Sequence, residues 1–175
     1  MQRPVLGSID RLTLIELPIC RLCNRLENRA LLSLFRAVSW LGDWPLWAAL
    51  AVGIATLQGT GAPVLRHMLF LACISLPLYK LLKNGLARER PCIAHPSIHM
   101  LIPPLDRYSF PSGHTQHAVA FSLVILAHHP EAAWFLVPFT MLVALSRLVL
   151  GVHYPSDAVA GATLGAILGS LVVTF

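Results

Sequence analysis

The chain has 175 residues, of which 56% are hydrophobic and 12% charged, with a mean hydropathy of +0.69 and a formal charge of +5. Soluble domains carry about 25% charged residues, so this composition excludes an ordinary soluble fold and points to a membrane protein of one domain. The basic residues flank apolar stretches, so anionic lipid is the expected partner and nucleic acid is not.

Residues 1–43 read as an N-terminal interfacial region. Arg11, Arg21, Arg25, Arg29 and Arg36 interrupt its apolar runs, while Leu22, Leu26, Leu31, Leu32 and Phe35 recur at helical spacing. Such an amphipathic helix suits the membrane interface, or a solvated position packed on loops. Asp10 and Glu16 break any signal-peptide core.

Residues 44–175 are expected to form an all-α integral-membrane bundle of five spans, because a spanning helix needs about 20 mainly apolar residues. The first, 44–58, stops at Gly59-Thr60-Gly61 and is short enough to need residues from its flanks. The others are 62–82, 112–127, 132–150 and 155–175. A sixth would have to come from the arginine-bearing N-terminal region. Residues 92–110, with Pro96, Pro103 and Pro104, read as an irregular loop. Gly161, Gly165 and Gly169 allow close helix approach, within one chain as readily as between two, so the oligomeric state stays open. Cys20, Cys23, Cys73 and Cys92 match neither a zinc site nor a disulfide framework and are taken as structural.

Three polar clusters interrupt this background: Lys83 through Arg90-Pro91, Pro111-Ser112-Gly113-His114, and Ser146-Arg147 with His153 and Asp157. Alternating the spans brings all three to one membrane face. Ionisable groups at membrane depth mark function.

In order and spacing the clusters resemble the three signatures of the type 2 phosphatidic acid phosphatase (PAP2) family, over residues 83–157. The resemblance implies a membrane phosphatase acting on a lipid phosphate or pyrophosphate, such as undecaprenyl pyrophosphate, phosphatidylglycerophosphate or phosphatidate. It also implies a phosphohistidine intermediate, and a site at the periplasmic face of a bacterial inner membrane. The positive-inside rule points the other way, since the N-terminal arginines share the site's side in a five-span chain.

The residue types suit the same chemistry. His153 is the expected nucleophile, with Asp157 holding its tautomer and stabilising the developing positive charge. His114 is the expected general acid and base. Lys83, Arg90, Arg147, Ser112 and Gly113 would hold the phosphate, Ser112 and Gly113 at a helix N-terminus. His114 and His153 lack further ligands for a metal, so no metal or other cofactor is expected. Arg88 and Arg107 border the clusters and could meet a second phosphate or a head group. A vanadium haloperoxidase would carry similar signatures, but the apolar spans argue against it. A phosphate-recognising transporter or lipid-binding protein is the rival from another class.

Overall fold

The computed structural model describes residues 8–59 and 62–175, and these are helical apart from loops and one isolated antiparallel bridge, Glu89 with Tyr108. The helices are α1 (Ser8–Asn24), α2 (Arg29–Leu41), α3 (Pro45–Gln58), α4 (Pro63–Leu86), the short α5 (Pro91–Ala94), α6 (Gly113–His128), α7 (Ala133–Val149) and α8 (Pro155–Val173). A 3-10 turn, Pro130–Ala132, leads into α7. The Thr60-Gly61 part of the turn expected after α3, and the first seven residues of the N-terminal region, lie outside the described residues.

Three segments are long and apolar enough to cross a membrane: Pro63–Leu86, Pro130–Val149 and Pro155–Val173. The α2–α3 pair, bent by 54°, makes a fourth if it is taken as one span. Gly42 sits at the bend between them, and α6, at Gly113–His128, is not among the segments long enough to cross. A Cβ on Gly42 would meet Val143 Cγ2 of α7 at 2.6 Å, so the bend presses directly on the bundle. Trp47 Nε1 closes the corner by donating to the Gly42 carbonyl at 3.1 Å.

The single N-terminal helix suggested by the leucine spacing is two helices. Asn28 starts the second, its side chain accepting the Ala30 and Leu31 N–H groups at 2.9 and 3.1 Å. That is the ordinary work of an N-cap, and it stops α1 from running on.

Helix α6 is the centre of the bundle and packs on α4, α7 and α8. Its Ala118, Ala120 and Val124 are fully buried. The glycine stripe of α8 lies against it: Cβ atoms at Gly161 and Gly165 would collide with the Ser112 and Gln116 carbonyl oxygens, and one at Gly169 would come within 2.9 Å of the Ala120 oxygen. The small residues therefore serve packing inside the chain, holding the start of α6 beside the start of α8.

Candidate active site

His153 sits in the turn between α7 and α8. Gly151 makes that turn, with φ +77 and the His99 carbonyl oxygen only 2.6 Å from where a Cβ would stand. A side chain there would be strained as well as crowded. The N–H groups of Val152 and His153 then return to the Arg147 carbonyl at 3.1 and 3.2 Å. His153 Nδ1 lies 3.5 Å from Asp157 Oδ2, and its Nε2 lies 3.2 Å from Arg90 Nη1. Burial, then the charges of Arg147, Arg90 and Lys83, hold the imidazole well below its usual pKa, so it is neutral at neutral pH.

Asp157 occupies the first turn of α8. Its Oδ2 accepts the Tyr154 N–H at 2.8 Å and its Oδ1 accepts from Arg88 Nη1 at 2.7 Å.

Lys83 and Arg147 lie in the last turns of α4 and α7, where the helix dipole favours cations, and Arg90 precedes α5. All three are buried. Lys83 Nζ donates to both oxygens of Asp106 at 2.6 Å, and Arg90 Nη2 donates to Asp106 Oδ1 at 2.5 Å. Arg90 is further fixed by its Nε on the Asp106 carbonyl (2.9 Å) and its Nη1 on the Val152 carbonyl (2.8 Å). Arg147 donates to Ser39 Oγ of α2, while its Nε has no partner. Burial pushes the Asp106 carboxyl up, but Lys83 and Arg90 outweigh it and hold the group below the usual carboxylate range.

These groups share a cavity of about 300 Å³. Lys83, Arg90, Gly113, His114, Arg147 and His153 line its polar end, together with Asp106 and Asp43. Ser112 and Asp157 do not line it and stand behind it. Ser112 caps α6, its Oγ 3.5 Å from the Thr115 N–H, and its own N–H donates to the Asp157 carbonyl at 3.0 Å. The other end is apolar, walled by Trp47, Met68, Leu76 and Phe121. Trp44, Leu69 and Leu76 line the cavity and are also exposed on the outer surface, so it reaches the flank between α3 and α4.

The model of the PAP2 superfamily matches residues 64–175. The chain belongs to this family. It is 40% identical over 86 residues to undecaprenyl-diphosphatase BcrC of Bacillus subtilis, covering 49% of this chain and 44% of that protein. The chain thus spans less than half the length of that relative. Its fold matches the crystal structure of Aquifex aeolicus LpxE with a TM-score of 0.81 at 24% identity, over 92% of this chain and 96% of that one. It also matches the transmembrane PAP2-type phosphatidylglycerolphosphate phosphatase of B. subtilis, with a TM-score of 0.76 at 23% identity, over 93% and 85% of the two chains. With its apolar spans, this PAP2 chain is an integral membrane protein.

The arrangement corrects one expectation and adds residues. Arg88 does not face the cavity. It is buried on the far side of Asp157 with its guanidinium 3.9 Å from the Tyr154 ring, so it is not available to a second phosphate. Asp106, Asp43 and Ser39 were not singled out from the sequence as site residues. A carboxylate in the loop between the first two signatures is a usable signal for Asp106. Nothing local marks Ser39 or Asp43, which reach the site from the α2–α3 corner. The four cysteines are free thiols.

Proposed function

We propose that this protein hydrolyses a lipid phosphate or pyrophosphate by two-step phosphoryl transfer through His153. The observation that carries this reading is the joined cavity. Three buried cations and two histidines stand at one end, and an apolar channel leads from them to the flank of α3 and α4. A phosphate fits the first and a hydrocarbon chain the second.

The substrate enters sideways from the bilayer, and its phosphate displaces the Asp106 carboxylate from Lys83 and Arg90. With Nδ1 protonated toward Asp157, the Nε2 lone pair of His153 attacks phosphorus. The P–O ester bond breaks as the P–N bond forms, and His114 gives its proton to the leaving oxygen. Asp157 stabilises the positive charge on the imidazole. His114, now neutral, takes a proton from water, which attacks phosphorus. The P–N bond then breaks and inorganic phosphate leaves. Phosphoryl transfer depends mainly on positioning and charge stabilisation. Here Lys83, Arg90 and Arg147 supply the stabilising charge, so the chemistry needs no metal. Gly113 presents its backbone at the cavity, and Ser112 shapes the helix start behind it.

The similarity to undecaprenyl-diphosphatase BcrC, and the fold shared with a phosphatidylglycerolphosphate phosphatase, favour envelope lipids. Undecaprenyl pyrophosphate, phosphatidylglycerophosphate and phosphatidate are the candidates. The site is assigned to the periplasmic face of a bacterial inner membrane. Residues 1–43 are assigned to an interfacial region against a catalytic domain of residues 44–175. Leu12, Ile15, Ile19 and Leu22 form an exposed apolar stripe on α1, which supports that placement.

The test is phosphate release by the detergent-solubilised protein from those three lipids, with and without EDTA. Release that survives EDTA and disappears in His153→Ala is expected. No release from any of the three, or abolition by EDTA, would sink the reading. Labelling of single cysteines at positions 106 and 131 from outside intact cells checks sidedness.

A further inference from the structure

Asp157 is fully buried, and the charges linked to it on the side away from the cavity are Arg88, between the matched positions Lys83 and Arg90, and Glu16, outside all three signatures. Arg88 bridges it to Glu16 of α1: Nη1 donates to Asp157 Oδ1 at 2.7 Å and Nη2 to Glu16 Oε2 at 2.8 Å. Glu16 also holds the first turn of α8 directly. Its Oε1 accepts the Ser156 N–H at 2.5 Å and its Oε2 the Ser156 hydroxyl at 3.0 Å. An N–H in that turn has no partner within its own helix, and the dipole there favours an anion. Glu16 and Arg88 are buried too, at 5% and 7% exposure. Glu16 lies well before residue 64, where the family match begins.

We propose that Glu16 is a positioning residue for the phosphoryl transfer, supplying through Arg88 the excess negative charge that Asp157 passes to His153. Taken alone, the Arg88–Asp157 pair is neutral, so it gives little net field at the imidazole. With Glu16 the buried trio carries one net negative charge. That charge is balanced when His153 becomes a phosphoimidazolium, and in a water-poor interior such balancing is strong. The stabilisation is therefore larger in the transition state than in the ground state, which lowers the barrier and leaves substrate binding alone. Arg88 responds as a guanidinium between two anions should: burial pulls its pKa down, but Asp157 and Glu16 more than offset this and leave it raised.

The inference rests on His153 being the nucleophile, and the experiment separates the two. Phosphate release from dioctanoyl phosphatidate and from farnesyl pyrophosphate is measured on the full chain in detergent, for wild type, Glu16→Gln, Glu16→Ala and Glu16→Asp. Orthovanadate inhibition and thermal midpoints are recorded for each. Because the role is charge, Glu16→Gln and Glu16→Ala should both lower kcat about tenfold or more with KM within about twofold. Glu16→Asp should recover most of kcat, and vanadate affinity should stay within about twofold, since the cation clamp is untouched. Glu27→Ala, at an exposed carboxylate between α1 and α2, is the charge control and should behave as wild type. Full kcat in Glu16→Gln would overturn the proposal, and so would equal losses in kcat and vanadate affinity. If Glu16→Ala fails to fold, the near-isosteric Glu16→Gln and the Asp variant still decide it. A wild type inactive on these two lipids and on undecaprenyl pyrophosphate and phosphatidylglycerophosphate removes this inference together with the functional reading, whereas an active wild type with an equally active Glu16→Gln removes this inference alone.

Discussion

Lys83 Nζ contacts both carboxylate oxygens of Asp106 at 2.6 Å, and Arg90 shares one of them. Two cations expected to hold a phosphate thus hold a carboxylate. Asp106 belongs to the loop between α5 and α6 and is a third exposed, so it can leave without disturbing the bundle. On the proposed reading it competes with the substrate phosphate for the clamp.

Asp106→Asn should therefore bind orthovanadate and inorganic phosphate about tenfold more tightly, because the competing charge is gone while the side-chain shape is kept. Inhibition constants in the phosphate-release assay check this. Unchanged or weaker inhibition would show that Asp106 helps to build the clamp and does not compete for it.

Arg147→Lys should cost about 2.7–4 kcal/mol of transition-state stabilisation, the usual loss for one oxyanion donor. Arg147 is anchored on Ser39 and has its Nε free, so the planar fork can reach an oxygen that an ammonium, with its different geometry, cannot. Single-turnover rates are the measurement, and Ser39→Ala should show a smaller loss of the same kind.

The pH dependence follows from His153. As the proposed nucleophile it would react as the neutral imidazole, and its pKa is depressed well below the usual value of about 6.5. Protonation is thereby postponed to lower pH, so titration of His153 should not halve the rate of phosphohistidine formation as pH falls through about 6.5. Acid-quenched labelling over that range tests it, and a halving of the rate near 6.5 would contradict it. Stability should move in the opposite sense. Between the depressed pKa and about 6.5 the unfolded chain takes up a proton that the folded chain refuses, so the thermal midpoint should fall with acid.

Gly165→Leu should destabilise the protein by about 1–3 kcal/mol or more, the usual cost of overpacking, because its side chain has no room against the Gln116 backbone. It should also lower kcat by moving the start of α8, with Asp157, away from the start of α6. Thermal unfolding in detergent and phosphate release measure the two effects. The same change at Gly53, where a Cβ would meet nothing within 4 Å, should be mild.

Much of the site was legible because each signature is local. Gly113-His114 opens a helix, while Lys83 and Arg147 close two others, and helix polarity then brings them to one end. Arg88 and Arg90 show the limit of such reading. Two residues apart in one loop, they face opposite sides of the Asp157–His153 pair. Arg90 turns to the cavity and Arg88 to Glu16, and only the folded loop, with the Ser109 N–H on the Arg88 carbonyl at 2.8 Å, determines which is which.

By itself the sequence determined the membrane setting and the three family signatures, because both depend on residue types and on spacings within single helices or turns. The tertiary structure decided which charges meet: Asp106 on Lys83 and Arg90, Ser39 on Arg147, and Glu16 on Arg88. Those partners are 16 or more residues apart. No helical period relates them, and their distances are set by tertiary packing, such as that of α1 on α7 and α8 and of α2 on α7.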